Sequence, residues 1–173
     1  MRLNKWASML SGAVLALGAT TAFAQQADSG TKTQNIQTAE TGWQVVCRST
    51  TQDRTKLGCA VMHETYSAQD RVRLTSVEIM KGDKGRVMLV SVPQGVSLKD
   101  GIDFSIDGTK QSRLAYSYCM NNNCFSTLDL TDAHIAGLKK SKTMDLVFFD
   151  LQGSKIKTEV TMTGFAQAFA KAD

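Results

Sequence analysis

The chain has 173 residues, is 42% hydrophobic and carries a formal charge of +4. Residues 1–24 read as a secretory signal; their removal takes Arg2 and Lys5 but no acid, leaving 149 residues at +2. That length suits one domain able to bury its own core, and that charge is too small to argue for nucleic acid or an anionic membrane as the partner.

In the signal, Arg2 and Lys5 form a basic start, Met9 to Ala19 an apolar run, and Ala22-Phe23-Ala24 a small-x-small cleavage site. No later apolar run approaches the roughly 18 residues of a membrane span. No cysteine follows Ala24 directly, so no lipid anchor is expected. The four cysteines, Cys47, Cys59, Cys119 and Cys124, all follow the signal. Export with an even cysteine count points to an oxidising compartment and to disulfides. The expected location is the periplasm, the outer membrane or the exterior.

Gln25 to Thr41 is small and polar, with Ile36 its only large aliphatic residue, and is expected to be a flexible leader. The folded domain then runs from Gly42 to Asp173. Its dominant pattern is alternation, the signature of strands with one buried face. Ile102, Phe104 and Ile106 alternate with polar residues, as do Ile156, Thr158, Val160 and Met162. Leu114, Tyr116 and Tyr118 read as one further half-buried strand. Val87 to Val92 and Leu146 to Phe149 are apolar on both parities and suit central strands, or strands whose outer face is also covered. Between Arg71 and Met80 the parity flips, which a bulge near Thr75-Ser76 would correct. Asp107-Gly108 between two alternating runs is the strongest hairpin signal. Thr131 or Asp132 could cap a short helix over Ala133 to Leu138, and Phe165 and Phe169 would share one face of a terminal helix. The expected architecture is all-β: a sandwich or flattened barrel of about eight to ten mostly antiparallel strands with one or two short helices.

Local pairing of the cysteines, 47 with 59 and 119 with 124, fits two hairpins, although four cysteines allow three connectivities. Zinc is the weaker reading, because an exported chain seldom keeps thiolates reduced. Neither histidine has a partner at helical or strand spacing, so His63 and His134 are expected to be ordinary surface residues. Asp100, Asp103 and Asp107 do not follow a calcium-loop spacing, and no phosphate loop or GxSxG motif is present. With no recognisable acid, base or nucleophile group, neither catalysis nor a metal or cofactor is expected. Tyr116, Tyr118, Met120 and Phe125 lie in or beside the second cysteine loop. They are candidates for an interaction surface, with a core role the competing reading for the aromatics.

Several pieces occur in a telling order: Gly42-Trp43, Cys47, Cys59, Pro93-Gln94-Gly95 with Leu98 and Gly101, the Cys119–Cys124 pair, and the closing Gly164-Phe165. In this the chain resembles the invasion-associated locus B family of exported Gram-negative proteins. The resemblance implies a β-sandwich-like domain at the bacterial envelope, without catalytic residues or cofactors, and scaffold roles for the matching positions. Trp43 could pack beside a disulfide. Gly164 could permit a strand-to-helix switch where a side chain would clash. The expected function is protein–protein contact by a non-enzymatic envelope protein, invasion-associated in a pathogen, with an unknown partner in the envelope or on a host cell. A periplasmic ligand- or peptide-binding, chaperone-like module is the alternative.

Overall fold

The computed structural model describes residues 33–34, 38–40, 42–49 and 57–172. The expected signal lies outside them, as does most of the expected leader. Within the leader, Thr33–Gln34 (β1) and Thr38–Glu40 (β2) are short strands. Ten longer strands follow: Gln44–Ser49 (β3), Leu57–Ser67 (β4), Arg73–Gly82 (β5), Gly85–Pro93 (β6), Ile102–Ile106 (β7), Thr109–Leu114 (β8), Tyr116–Met120 (β9), Asn123–Leu130 (β10), Thr143–Phe149 (β11) and Lys155–Thr161 (β12). Asp132–Lys140 (α1) separates β10 from β11, and Phe165–Ala172 (α2) closes the chain.

The strands form two sheets. The smaller has the order β1-β12-β11-β7-β8. The larger has the order β2-β4-β5-β6-β10-β9, with β3 also paired to β4. All pairings are antiparallel except β1 with β12. The result is a sandwich, not a closed barrel.

Alternation decides which residues meet between the sheets. Val61, Val77, Ile79, Met88 and Val90 face inward from the larger sheet, and Ile102, Phe104, Met144, Leu146 and Phe148 from the smaller; all join one buried cluster. The two-sided apolar runs are β6 and β11, each flanked by a strand on both sides as the pattern implied. The parity flip in β5 is real, but its bulge sits earlier than expected. The register slips between Thr65 and Tyr66 opposite Arg73 and Thr75, so Leu74 is the extra residue. Thr75, Val77 and Ile79 then share the inward face, while Val72 stands exposed.

The expected single strand through Leu114, Tyr116 and Tyr118 does not exist. The chain breaks at Ala115, leaving Leu114 in β8 of the smaller sheet and Tyr116 in β9 of the larger. Alternation in the sequence runs unbroken through Ala115, so periodicity could not reveal a change of sheet.

The Asp107-Gly108 turn forms as read, with φ of 46° and 74°. Asp107 also accepts the backbone N–H groups of Lys142 and Thr143 at 2.9 Å, tying this turn to the start of β11. Thr131 caps α1 in a capping box with His134. The His134 N–H donates to Thr131 Oγ1 and Nδ1 accepts from the Thr131 N–H, both at 3.2 Å. That histidine therefore has a structural task rather than being an ordinary surface residue.

Gly164 has φ +85°, but a Cβ there would meet nothing within 4 Å. Its role is the left-handed backbone turn from β12 into α2, not the close approach expected. Gly101 is the crowded one: with φ +64°, an added Cβ would lie 2.5 Å from the Leu114 carbonyl oxygen. Gly101→Ala is expected to cost about 2 kcal/mol or more, read as a lowered midpoint in urea unfolding.

Candidate interaction surface

Both cystines are cross-strand links between residues directly opposite in the ladders. Cys47 pairs with Cys59 across β3 and β4, and Cys119 with Cys124 across β9 and β10, each with a Cα–Cα distance of 4.0 Å. No free cysteine occurs among the described residues. Each closes a short loop, a constraint worth at most about 3 kcal/mol on the chain-entropy account.

The Cys119–Cys124 hairpin determines where the aromatic candidates go. Its ladder slips between Phe125 and Ser126, which makes Ser117 an extra residue in β9. The bulge sends Tyr116 and Tyr118 to opposite faces although they are two apart. Tyr116 packs against the core, where burial pushes its phenol well above the usual value. Tyr118 faces outward, 47% exposed, and stacks on Phe125 with centroids 4.9 Å apart. Met120 is also exposed, at 54%. The structure thus brings Tyr118, Met120 and Phe125 together on the outer face of the larger sheet and removes Tyr116 from that surface.

Register extends this face across five strands. Tyr118, Phe125, Ser91, Ser76 and Glu64 follow one another from β9 to β4. Ser91 and Ser76 are buried small residues forming a low centre between bulkier neighbours. The adjacent row places Leu89 beside Glu78 and Met62, all half-buried.

At one margin lies a polar network that sequence reading missed. Arg73 donates to Glu64 at 2.8 Å and to Asn123 at 3.1 Å, and the Tyr66 hydroxyl donates to Glu64 at 2.8 Å. Burial alone would raise the Glu64 carboxyl, but hydrogen bonds from Arg73 and Tyr66 outweigh it and hold the group below its usual value. Glu64, Tyr66 and Arg73 are neighbours across the β4–β5 hairpin, whose bulge aligns them, while Asn123 is 50 residues from Arg73 and reaches it through the β10 register. Asn123 passes the linkage to the cystine hairpin through Asn121, whose carbonyl accepts its amide at 2.9 Å.

The outer face of the smaller sheet is different in kind. Asp103 accepts from Arg113 at 2.8 and 3.1 Å and pairs with Lys110 at 2.9 Å. Arg113 first, then Lys110, outweighs burial and holds the Asp103 carboxyl down to about 2. Asp145, opposite Glu159 in the ladder, is paired with Lys157 at 3.0 Å. The outer face of the smaller sheet therefore carries cross-strand ion pairs, while that of the larger sheet combines ion pairs, Arg48–Glu78 at 2.6 Å and Arg73–Glu64 at 2.8 Å, with an exposed aromatic stack.

His63 corrects the surface expectation. It is 1% exposed, faces inward between Val61 and Thr65, and lies with its ring centroid 5.3 Å from that of Trp43. Burial lowers its pKa to about 4, with Glu64 opposing the shift. The alternation Val61-His63-Thr65 carried the signal for this position. The ring neighbours of Trp43 are His63 and Phe165, and its indole N–H donates to the Thr161 carbonyl at 2.8 Å. It thus ties the start of β3 to the end of β12, instead of serving a cystine as expected.

Among the described residues, no cluster of three metal-ligating side chains occurs and no helix is long and apolar enough to cross a membrane. These features define a disulfide-linked, two-sheet sandwich with an exposed aromatic stack on the outer face of the larger sheet. The profile of the invasion associated locus B (IalB) protein family matches residues 43–173, and the chain belongs to that family. A crystal structure of invasion associated protein B from Bartonella henselae superposes with a TM-score of 0.64 at 17% identity, covering 79% of this chain and 94% of that one. At that identity the likeness concerns the fold. A search of curated proteins gives no match.

Proposed function

We propose that this chain is an exported, non-enzymatic protein of the bacterial envelope that acts by protein–protein contact through the outer face of the larger sheet. The observation that carries this reading is the Tyr118–Phe125 stack with Met120 on a cystine-tied hairpin, set on a sheet face that leaves apolar groups outward. Exposed aromatics on a rigid support are the residue types that dominate protein interfaces. The signal-like residues 1–24, with cleavage after Ala24, and the two cystines support export to the periplasm, the outer membrane or the exterior. Family membership supports an invasion-associated role where the source is a pathogen.

The inner residues of β6 and β11 are buried together in one cluster. That arrangement favours contact through a surface over the alternative of a ligand held between those strands.

The test is site-specific photo-crosslinking in intact cells. A photoreactive residue replacing Tyr118 is expected to give a covalent adduct with another protein, whereas one replacing Lys157 on the ionic face should not. Equal labelling from both faces, or no protein adduct from position 118, would sink the reading.

A further inference from the structure

Among the described residues, five large apolar side chains are exposed: Val72 50%, Leu98 55%, Tyr118 47%, Met120 54% and Leu151 69%. Single exposed apolar residues are ordinary. Their placement here is not. All five lie toward one end of the sandwich: Val72 on the β4–β5 turn, Leu98 on the β6–β7 loop and Leu151 on the β11–β12 turn, with Tyr118 and Met120 in the last residues of β9 before the cystine hairpin tip.

Hydrogen bonds join those connections to one another. The Gln94 N–H donates to the Asn122 carbonyl at 3.0 Å, and the Leu151 N–H to the Gly95 carbonyl at 3.1 Å. The Ser97 N–H donates to the Phe149 carbonyl at 2.8 Å. Arg73 bonds Asn123 from the base of the β4–β5 turn. The apolar tips therefore project from a common, braced base rather than from independent loops.

The charges at this end are arranged unequally. Its carboxylates turn back onto their own loops. Asp70 accepts the Val72 N–H at 3.2 Å, Asp100 the Ser97 hydroxyl at 2.6 Å, and Asp150 the N–H groups of Gln152 and Ser154 at 2.9 and 2.7 Å. Arg71 remains exposed beside Val72, and Lys99, with its side chain 85% exposed, stands beside Leu98 although its Nζ lies 3.2 Å from Asp100. An apolar tip with a cation next to it matches a bilayer interface: the apolar group reaches the acyl boundary while the cation stays at phosphate level. Exposed apolar side chains on several connections suit a yielding lipid surface better than a rigid protein groove.

The geometry points to a lipid-docking end: the chain attaches to a bilayer bearing anionic headgroups through Leu98, Leu151 and Val72, with Arg71 and Lys99 at the headgroups. The chain's small net charge does not enter, because the attraction is local. This attachment would leave the outer face of the larger sheet beside the membrane for protein contact.

The test is flotation of the processed, disulfide-bonded protein, isolated from cells, with protein-free vesicles of phosphatidylethanolamine and phosphatidylglycerol. The protein is expected to float with them. Leu98→Ser and Leu151→Ser should each weaken binding about tenfold, the loss of one buried leucine. Arg71→Gln with Lys99→Gln should weaken binding at low salt and flatten its salt dependence. Lys139→Gln with Lys140→Gln, in α1, should leave it unchanged. Failure to float, loss of flotation only with the α1 variant, or capture only by membranes that carry proteins would overturn the inference. None of these results depends on whether position 118 crosslinks to a partner.

Discussion

Phe165→Ala is expected to destabilise the domain by about 4 kcal/mol, the largest effect of any single truncation considered. Phe165 is fully buried at the start of α2. Its ring meets Trp43 edge-on at 4.8 Å and Phe169 at 5.6 Å, and its N–H donates to the Met162 carbonyl at 3.1 Å. Trp43 in turn ties β3 to β12, so the cavity would open where α2, β3 and the smaller sheet converge. Packing there is too constrained by the ladder and the indole hydrogen bond to collapse into the space. Phe125→Ala, on the outer face, should cost about 1 kcal/mol, since its ring is only partly withdrawn from water. Urea unfolding of both variants measures the contrast; similar losses would show that the α2 junction is not a keystone. Because domains are stable by only about 5–15 kcal/mol, Phe165→Ala should also lower the amount of protein recovered from cells.

Acid is expected to weaken the fold through His63 before it reaches the carboxylates. Burial holds the folded-state pKa at about 4, against 6.5 for the free group. Between those values the unfolded chain binds a proton that the folded chain refuses. The stabilisation is therefore complete above pH 6.5 and lost as pH falls toward 4, by about 3 kcal/mol in total. Glu64 and Asp103 are also held low, so they act in the same direction as His63, but their contributions are lost only as pH falls below the ordinary carboxylate range. Urea unfolding at pH 7, 5.5 and 4.5 should show stability falling with pH in the native chain. In His63→Leu that slope should be largely absent, whatever the variant's stability at pH 7. An unchanged slope in the variant would move the acid sensitivity elsewhere.

Most of the sheet structure was legible because alternation is a local consequence of burying one strand face. The inward set Ile102, Phe104 and Ile106, the two-sided runs of β6 and β11, and the Asp107-Gly108 turn all follow from neighbouring residues. The capped α1 and the Phe165–Phe169 face of α2 were legible for the same reason. The surface was less so. Tyr116 and Tyr118 share a parity in the chain, and a single extra residue, Ser117, sends one inward and one outward. His63 looked like a polar residue without a partner because its ring neighbours, Trp43 and through it Phe165, come from other elements.

The amino-acid order alone determined that this is a strand-built domain with paired cysteines, and it carried the family pattern through short-range residues that turn, cap or alternate. Tertiary structure decided which sheet each strand joins, where the bulges fall, that Glu64, Arg73 and Asn123 meet, and that Val72, Leu98, Met120 and Leu151 share one end. Those outcomes rest on contacts between distant segments. Their energies depend on how whole sheets register and pack, and no window of neighbouring residues contains that information.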